Sequence, residues 1–216
     1  MECIKNSHNA VIVLEIIEAI HQNAGYLSEI DGATGDGDHG INMNKGFMLA
    51  KERITADMSL SEAFKILGQT LVMDIGGSMG PIYGTFFSQF SKVTKGIENI
   101  IPETVLAALE ASTEKLMELA GAKPGDKTLI DTIYPAKEAF KRALEGNKGY
   151  AEALQAMAAG AQAGKEHTKE LVAKIGRAAR LGERSKGFLD AGATSCCIIL
   201  ETMSGAMQRV IVNEQI

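Results

Sequence analysis

The sequence has no tryptophan, only four prolines and only three cysteines. Aromatic residues make up 5% of it, which predicts a core built from aliphatic side chains. The cysteines, Cys3, Cys196 and Cys197, are odd in number and include an adjacent pair. That is no disulfide framework, and the chain reads as cytoplasmic. No apolar run approaches the ~20 residues that span a bilayer, so no membrane role is expected. The first residues lack a basic segment followed by an apolar stretch and a small-residue cleavage site, which speaks against a secretory signal. Basic residues are not in excess: 22 Lys and Arg face 27 Asp and Glu, a net charge of −5 with histidine neutral. Nucleic acid is therefore not the expected partner. Neither G-x-x-x-x-G-K-[ST] nor a G-x-G-x-x-G after a strand occurs, so a nucleotide would be held outside the P-loop and Rossmann schemes.

What the chain does have is glycine, 23 residues of it, and 45% hydrophobic residues at helical spacing. Ala10, Val13, Leu14, Ile17 and Ile20 share one helix face, with Asn6 or Ser7 as the cap and Gly25 as the stop. Met43, Phe47, Ala50 and Ile54 mark the next inward stripe. Ser59 and Glu62 form a capping-box pattern ahead of Ala63, Ile66, Leu67 and Leu71. Pro81 and Pro102 suit the first turns of two further helices. Gly121 is expected to end the second of these, and Asp126 to cap a helix through Leu144 that Pro135 bends or breaks. Residues 150–166, a shorter stretch from Lys169 to Ile175, and a last stretch carrying Thr194, Ile198 and Met207 complete the pattern. The reading is all-α, with about eight helices, no convincing strand alternation and one domain over residues 1–216. Three polar glycine loops, 31–40, 76–81 and 176–192, interrupt it, and such loops are where a helical scaffold carries chemistry.

The first loop, DGATGDGDHG, places Asp31, Asp36 and Asp38 within eight residues. Three carboxylates this close repel one another, and a hard divalent cation with oxygen ligands removes that repulsion. An EF-hand beginning at Asp36 fails, because Ile41 and Phe47 stand where that loop needs Gly and Glu. Zinc is improbable, since His39 has no second His or Cys at a ligand spacing. His8, His21 and His167 read as ordinary surface or helix-end residues. The second loop, Gly76-Gly77-Ser78-Met79-Gly80, matches the G-x-S-x-G of serine hydrolases but lacks the strand that motif requires. A glycine loop entering a helix N-terminus suits a phosphate equally well. The third loop carries Arg177, Arg180, Arg184 and Lys186, of which Arg180 and Lys186 read as solvated charge.

Five segments in order, GDGDHGINMNKGF (35–47), GGSMGPIYGTFF (76–87), PGDKTLID (124–131), GRAARLGERSKGF (176–188) and DAGATS (190–195), resemble the dihydroxyacetone kinase L-subunit family from about residue 26 to the C-terminal helix. The resemblance implies a barrel of eight antiparallel up-and-down helices with the nucleotide in loops at one end. It implies that Asp31, Asp36 and Asp38 hold two Mg²⁺ ions bridging the phosphates of ADP or ATP. It implies nucleotide contacts from His39, Gly40, Ile41 and Asn42, from Ser78 and Met79, from Leu129, Arg177, Asp190, Ala191 and Gly192, and from Ala120 or Gly121. The implied activity is phosphoryl transfer from bound nucleotide to a ketose, dihydroxyacetone or a relative such as erythrulose, held on a separate K subunit. A phosphohistidine M subunit of the phosphotransferase system would recharge ADP. A homodimer or a transcription regulator as partner stays open on this resemblance, as does a non-catalytic nucleotide sensor. Two positions depart from the family: GGASGP is GGSMGP, which puts Met79 where a serine faces phosphate, and DPGATS is DAGATS. No residue of this chain stands out as a general base.

Overall fold

The computed structural model describes residues 2–213. The expected domain span also takes in Met1 and residues 214–216, which lie outside the described residues. Helix α1 (Val11–Gln22) buries Ile12, Val13, Ile16, Ile17 and Ile20, an apolar face at helical spacing. Its cap differs from expectation. Ala10 begins it without a side-chain hydrogen bond. The Asn6 amide is buried, donating to the carbonyls of Thr94 and Ile97 and accepting from the Ser61 N–H, so it ties three distant segments together. The Ser7 hydroxyl donates to Glu98. Gly25 is no stop either, because the chain turns at Asn23 and continues as α2 (Ala24–Thr34). The expected loop over 31–40 therefore shrinks to residues 35–38 before α3 (His39–Lys51).

Helix α4 (Leu60–Asp74) carries the expected capping box. The Glu62 N–H donates to the Ser59 hydroxyl oxygen and the Ser59 N–H to the Glu62 carboxylate. Pro81 lies in the first turn of α5 (Met79–Thr94), and Pro102 opens α6 (Pro102–Ala120), which Gly121 ends in the left-handed region at φ 58°. Helix α7 (Ile130–Glu145) starts at Leu129 and not at Asp126. The Asp126 carboxylate is occupied within its own turn by the Lys123 N–H, while Asp131 accepts from Gly125 and Thr128. Pro135 sits inside α7, which runs on to Glu145. Helix α8 (Tyr150–His167) lies against it through Gly160 and Gly164, where an added Cβ would run into the backbone at Pro135 and Asp131.

The stretch expected as a helix over Lys169–Ile175 forms only a 3-10 turn at Thr168–Glu170. The Thr168 carbonyl, which closes that turn with the Leu171 N–H, and the Leu171 carbonyl also accept from the Lys127 ammonium. Residues Arg177–Ser185 form 3-10 turns kinked at Gly182, and α9 (Ala191–Arg209) follows. Three short strands were not expected. β1 (Glu2–Lys5) lies between β2 (Asn99–Ile100) and β3 (Ile211–Asn213) in an antiparallel sheet, with Ile4 opposite both Ile100 and Ile211. Strands of two to four residues are too short to show alternation.

The helices pack as a circuit: α3 on α4, α4 on α5, and so on through α9, which meets α1, which meets α3; α2 lies on α3. The core is less aliphatic than expected. Six of the seven phenylalanines are buried, and Phe47, Phe64, Phe86, Phe87 and Phe90 form one cluster with ring centroids 4.9–6.1 Å apart. The aromatics are few but concentrated where α3, α4 and α5 meet. Among the described residues no helix is long and apolar enough to cross a membrane.

Candidate functional site

A cavity of about 600 Å³ opens where four helices begin. Its wall takes His39 and Asn42 from the first turn of α3, and Met79, Pro81, Ile82 and Tyr83 from the start of α5. It also takes Thr128 and Leu129 from the start of α7, and Ala191 and Gly192 from the start of α9. A helix start presents N–H groups without intrahelical partners and the positive end of the peptide dipoles, so each favours an anion by roughly 0.3–1 kcal/mol. The residues preceding α3, α5 and α7 do not cap them with their own side chains, although the His39 N–H donates to Asp31 at 3.3 Å and the Ile130 N–H to Thr128 Oγ1 at 3.1 Å; on α9 the Asp190 carboxylate accepts from the Ala193 N–H at 2.7 Å. Met79, Ile82, Leu119, Leu129 and Ile175 supply an apolar side to the same cavity.

The acidic corner is made by three elements. Asp31 comes from the last turn of α2, Asp36 from the loop, and Asp38 from the residue that begins α3. One oxygen from each lies within 4.8 Å of the others. Gly35 makes this approach feasible, since a Cβ there would stand 2.5 Å from the Asp31 carboxylate oxygen. Repulsion among the three is offset by Arg177, whose guanidinium pairs with Asp36 and, at 3.4 Å, with Asp38. Oxygen-only donors converging on one point fit a hard cation such as Mg²⁺.

Behind the cavity runs a hydrogen-bonded chain that sequence reasoning missed. His39 Nε2 lies 2.8 Å from Ser195 Oγ, which lies 2.5 Å from the Tyr83 hydroxyl; Tyr83 also donates to the Gly192 carbonyl at 3.1 Å. Burial lowers the His39 pKa against the pull of Asp31 and Asp38. Burial raises Tyr83 well above its ordinary value and keeps it a hydrogen-bond donor. Asp190 is pushed up to about 6 by burial, with the neighbouring carboxylates Asp131 and Asp31 acting the same way; the Ala193 N–H and Lys127 act against it.

Of the residues singled out from the sequence, Asp31, Asp38, His39, Asn42, Ser78, Met79, Leu129, Arg177, Asp190, Ala191 and Gly192 line this one cavity. Asp36 joins it through Arg177 and the carboxylate cluster. Gly40, Ile41 and Gly121 do not line it; Ala120 does. Gly40 is buried against α2, and Ile41 is exposed. Arg180, Arg184 and Lys186 are exposed and outside the wall. Ser78 follows a helix, not a strand, and the histidine of this cavity pairs with Ser195, so the hydrolase elbow is absent. Tyr83, Ser195 and Lys127 carried no local signal, because their partners are distant in sequence.

A mostly helical chain with an anion-favouring cavity and a carboxylate cluster at its rim has the makings of a nucleotide-phosphate-binding domain. The chain belongs to the DAK2 domain family, whose model matches residues 33–205. It is 34% identical over 181 residues to the PEP-dependent dihydroxyacetone kinase ADP-binding subunit DhaL of Escherichia coli (strain K12), covering 83% of this chain and 86% of that protein. It is 33% identical to the L-erythrulose kinase of Pectobacterium atrosepticum, covering 86% of this chain and 32% of that protein. The crystal structure of the dihydroxyacetone kinase of C. freundii matches with a TM-score of 0.66 and 26% identity, over 91% of this chain and 34% of that one. The relatives are named kinases, and the chain is of the phosphotransferase class.

Proposed function

We propose that this chain is the ADP- and ATP-binding L subunit of a cytoplasmic ketose kinase. It binds nucleotide with Mg²⁺ and passes the terminal phosphoryl group to dihydroxyacetone, or a related short-chain ketose, held on a separate K subunit. The observation that carries this reading is the convergence of four helix starts and three carboxylates on one cavity. The closed circuit of packed helices supports a single domain built as an eight-helix antiparallel barrel, with the nucleotide at the end where those helices begin. Similarity to a PEP-dependent ADP-binding subunit supports recharging of ADP by a phosphohistidine M subunit.

In this reading Asp31, Asp36 and Asp38 would hold two Mg²⁺ ions, which would supply positive charge against the phosphate oxygens. The starts of α3 and α5 orient the phosphates through backbone N–H groups, which makes the loss of a serine at Met79 tolerable. Arg177, paired here with Asp36 and Asp38, would be the guanidinium nearest the phosphates. The apolar side at Leu119, Leu129 and Ile175 receives the base. A P–O bond to ADP breaks and one to the ketose hydroxyl forms. The hydroxyl proton goes to a base on the K subunit, since no carboxylate or histidine of this cavity is free of other work.

ADP with Mg²⁺ is expected to raise the melting temperature, and Asp36→Asn and Asp38→Asn to abolish that rise. No shift in the wild-type protein would sink the proposal. Native mass spectrometry of gently purified protein is expected to show bound ADP. ADP binding without transfer in the presence of K and M partners would leave a nucleotide sensor instead.

A further inference from the structure

Lys127 is 1% exposed, yet it carries an ammonium group. Its backbone is left-handed at φ 60°, a conformation that non-glycine residues adopt only when surroundings impose it. Its Nζ donates to the carbonyl oxygens of Thr168, Ser185 and Phe188, each at 2.7 Å, with Leu171 at 3.2 Å. The ammonium has three protons, so three short bonds satisfy it and the fourth oxygen shares one. All four acceptors belong to the segment between α8 and α9.

That segment is a strap tied down at separate points, among them the Lys174 ammonium 3.2 Å from the Asp126 carboxylate. It has no long helix and no strand. Its base is closed by Gly187 N–H to the Lys169 carbonyl and by Asp190 N–H to the Thr168 hydroxyl. Ser185 accepts from Ala173 N–H and donates to the Gly182 carbonyl. At its outer reach the strap holds Arg177 over the acidic corner, and at its end it holds Asp190 at the start of α9. Lys127 itself stands on the turn before α7, two residues from Leu129. That turn is fastened by Asp131 to Gly125 and Thr128, and by Lys174 N–H to the Asp126 carbonyl.

We propose that Lys127 is a positioning residue: its ammonium gathers the four strap carbonyls and so fixes Arg177 and Asp190 relative to the start of α7, closing one side of the nucleotide cavity. A neutral side chain cannot replace it, because the buried Ser185 carbonyl and the part-buried Leu171 and Phe188 carbonyls would lose this donor together, and Thr168 would keep only the Leu171 N–H. The carbonyl cage is complementary to a small cation, so a free primary ammonium ion can refill it once the side chain is shortened. The role in nucleotide binding rests on the function proposed above; the ordering of the strap does not.

The experiment uses the full chain as wild type, Lys127→Ala, and Lys127→Met, which keeps most of the stem and lacks the charge. Hydrogen exchange of residues 168–188 is measured without nucleotide. It is expected to quicken by roughly tenfold or more in both variants, with α1, α4 and α5 unchanged. Propylammonium chloride is expected to restore slow exchange to Lys127→Ala, while sodium chloride at the same ionic strength leaves it fast. ADP affinity with Mg²⁺ is expected to fall by roughly tenfold or more in the variants and to recover with propylammonium. Strap exchange within twofold of wild type in Lys127→Met overturns the proposal, as does failure of propylammonium to slow exchange in a folded Lys127→Ala. Should wild type bind no ADP, the function proposed above fails, and the exchange result still judges Lys127.

Discussion

Asp190 sits in the wall of the cavity with its carboxylate committed to the start of α9 and its pKa pushed up to about 6 by burial. In the unfolded chain it titrates near the ordinary 3.8. Between these values the folded protein binds the proton and the unfolded chain does not. The protonated acid therefore favours folding below about pH 4, and that contribution is lost as the pH rises to about 6. Asp190→Asn retains an acceptor for the Ala193 N–H without the charge. Urea titrations are expected to show the variant gaining on wild type by up to about 3 kcal/mol from pH 4 to pH 7, two pKa units at ~1.4 each. A gain independent of pH would refute this. Tyr83 and Ser195 give a second test at this scale. Tyr83→Phe removes the hydroxyl that fixes Ser195 beside His39, and ADP affinity is expected to fall about fivefold by calorimetry, the effect of one lost net hydrogen bond.

Among the elements, α7 and α8 show how a rule of sequence reading is overridden. Pro135 suggests a bend or a break, and no break occurs: α7 runs through it and packs on α8 at Gly160 and Gly164. A methyl group at residue 164 would meet the Asp131 carbonyl and the Pro135 ring. Gly164→Ala is expected to destabilise the protein by about 1–3 kcal/mol, although alanine is the better helix former, and chemical denaturation measures this. The helices with a marked apolar stripe, such as α1 and α4, were legible from spacing alone. Helix α2 was not, because Leu27 is its one buried residue and AGYLSEIDGAT shows no stripe. The acidic corner was legible because its three aspartates are close in sequence. Lys127 and the Tyr83–Ser195 pair were not, since Lys127 meets carbonyls 41 to 61 residues away and Tyr83 meets Ser195 across 112.

The whole molecule has two unlike ends. Helices α5 and α9 begin at the cavity, and α6 finishes there. Their other ends adjoin the small sheet, where Ile4 is fully buried between Ile100 and Ile211. Ile4→Ala is expected to cost about 2–4 kcal/mol of stability. ADP affinity of the folded variant should stay within about twofold, since a helix of 19 residues separates the two ends by roughly 28 Å. A large loss of affinity at equal folding would show that the ends are coupled.

The pairing of Glu2 with Asn213 also sets the geometry of any tether. Both strands leave from the sheet, so a module joined to either of them starts its path on the far side of the molecule from the cavity. To face the nucleotide it must return across roughly 28 Å, at least about eight extended residues of linker. Each further doubling of that linker thins the local concentration of the tethered module by about threefold. A partner that arrives unattached has no such detour. Its encounter rate depends on its own concentration and on the charge around the cavity mouth, where Asp36 and Arg177 lie exposed side by side.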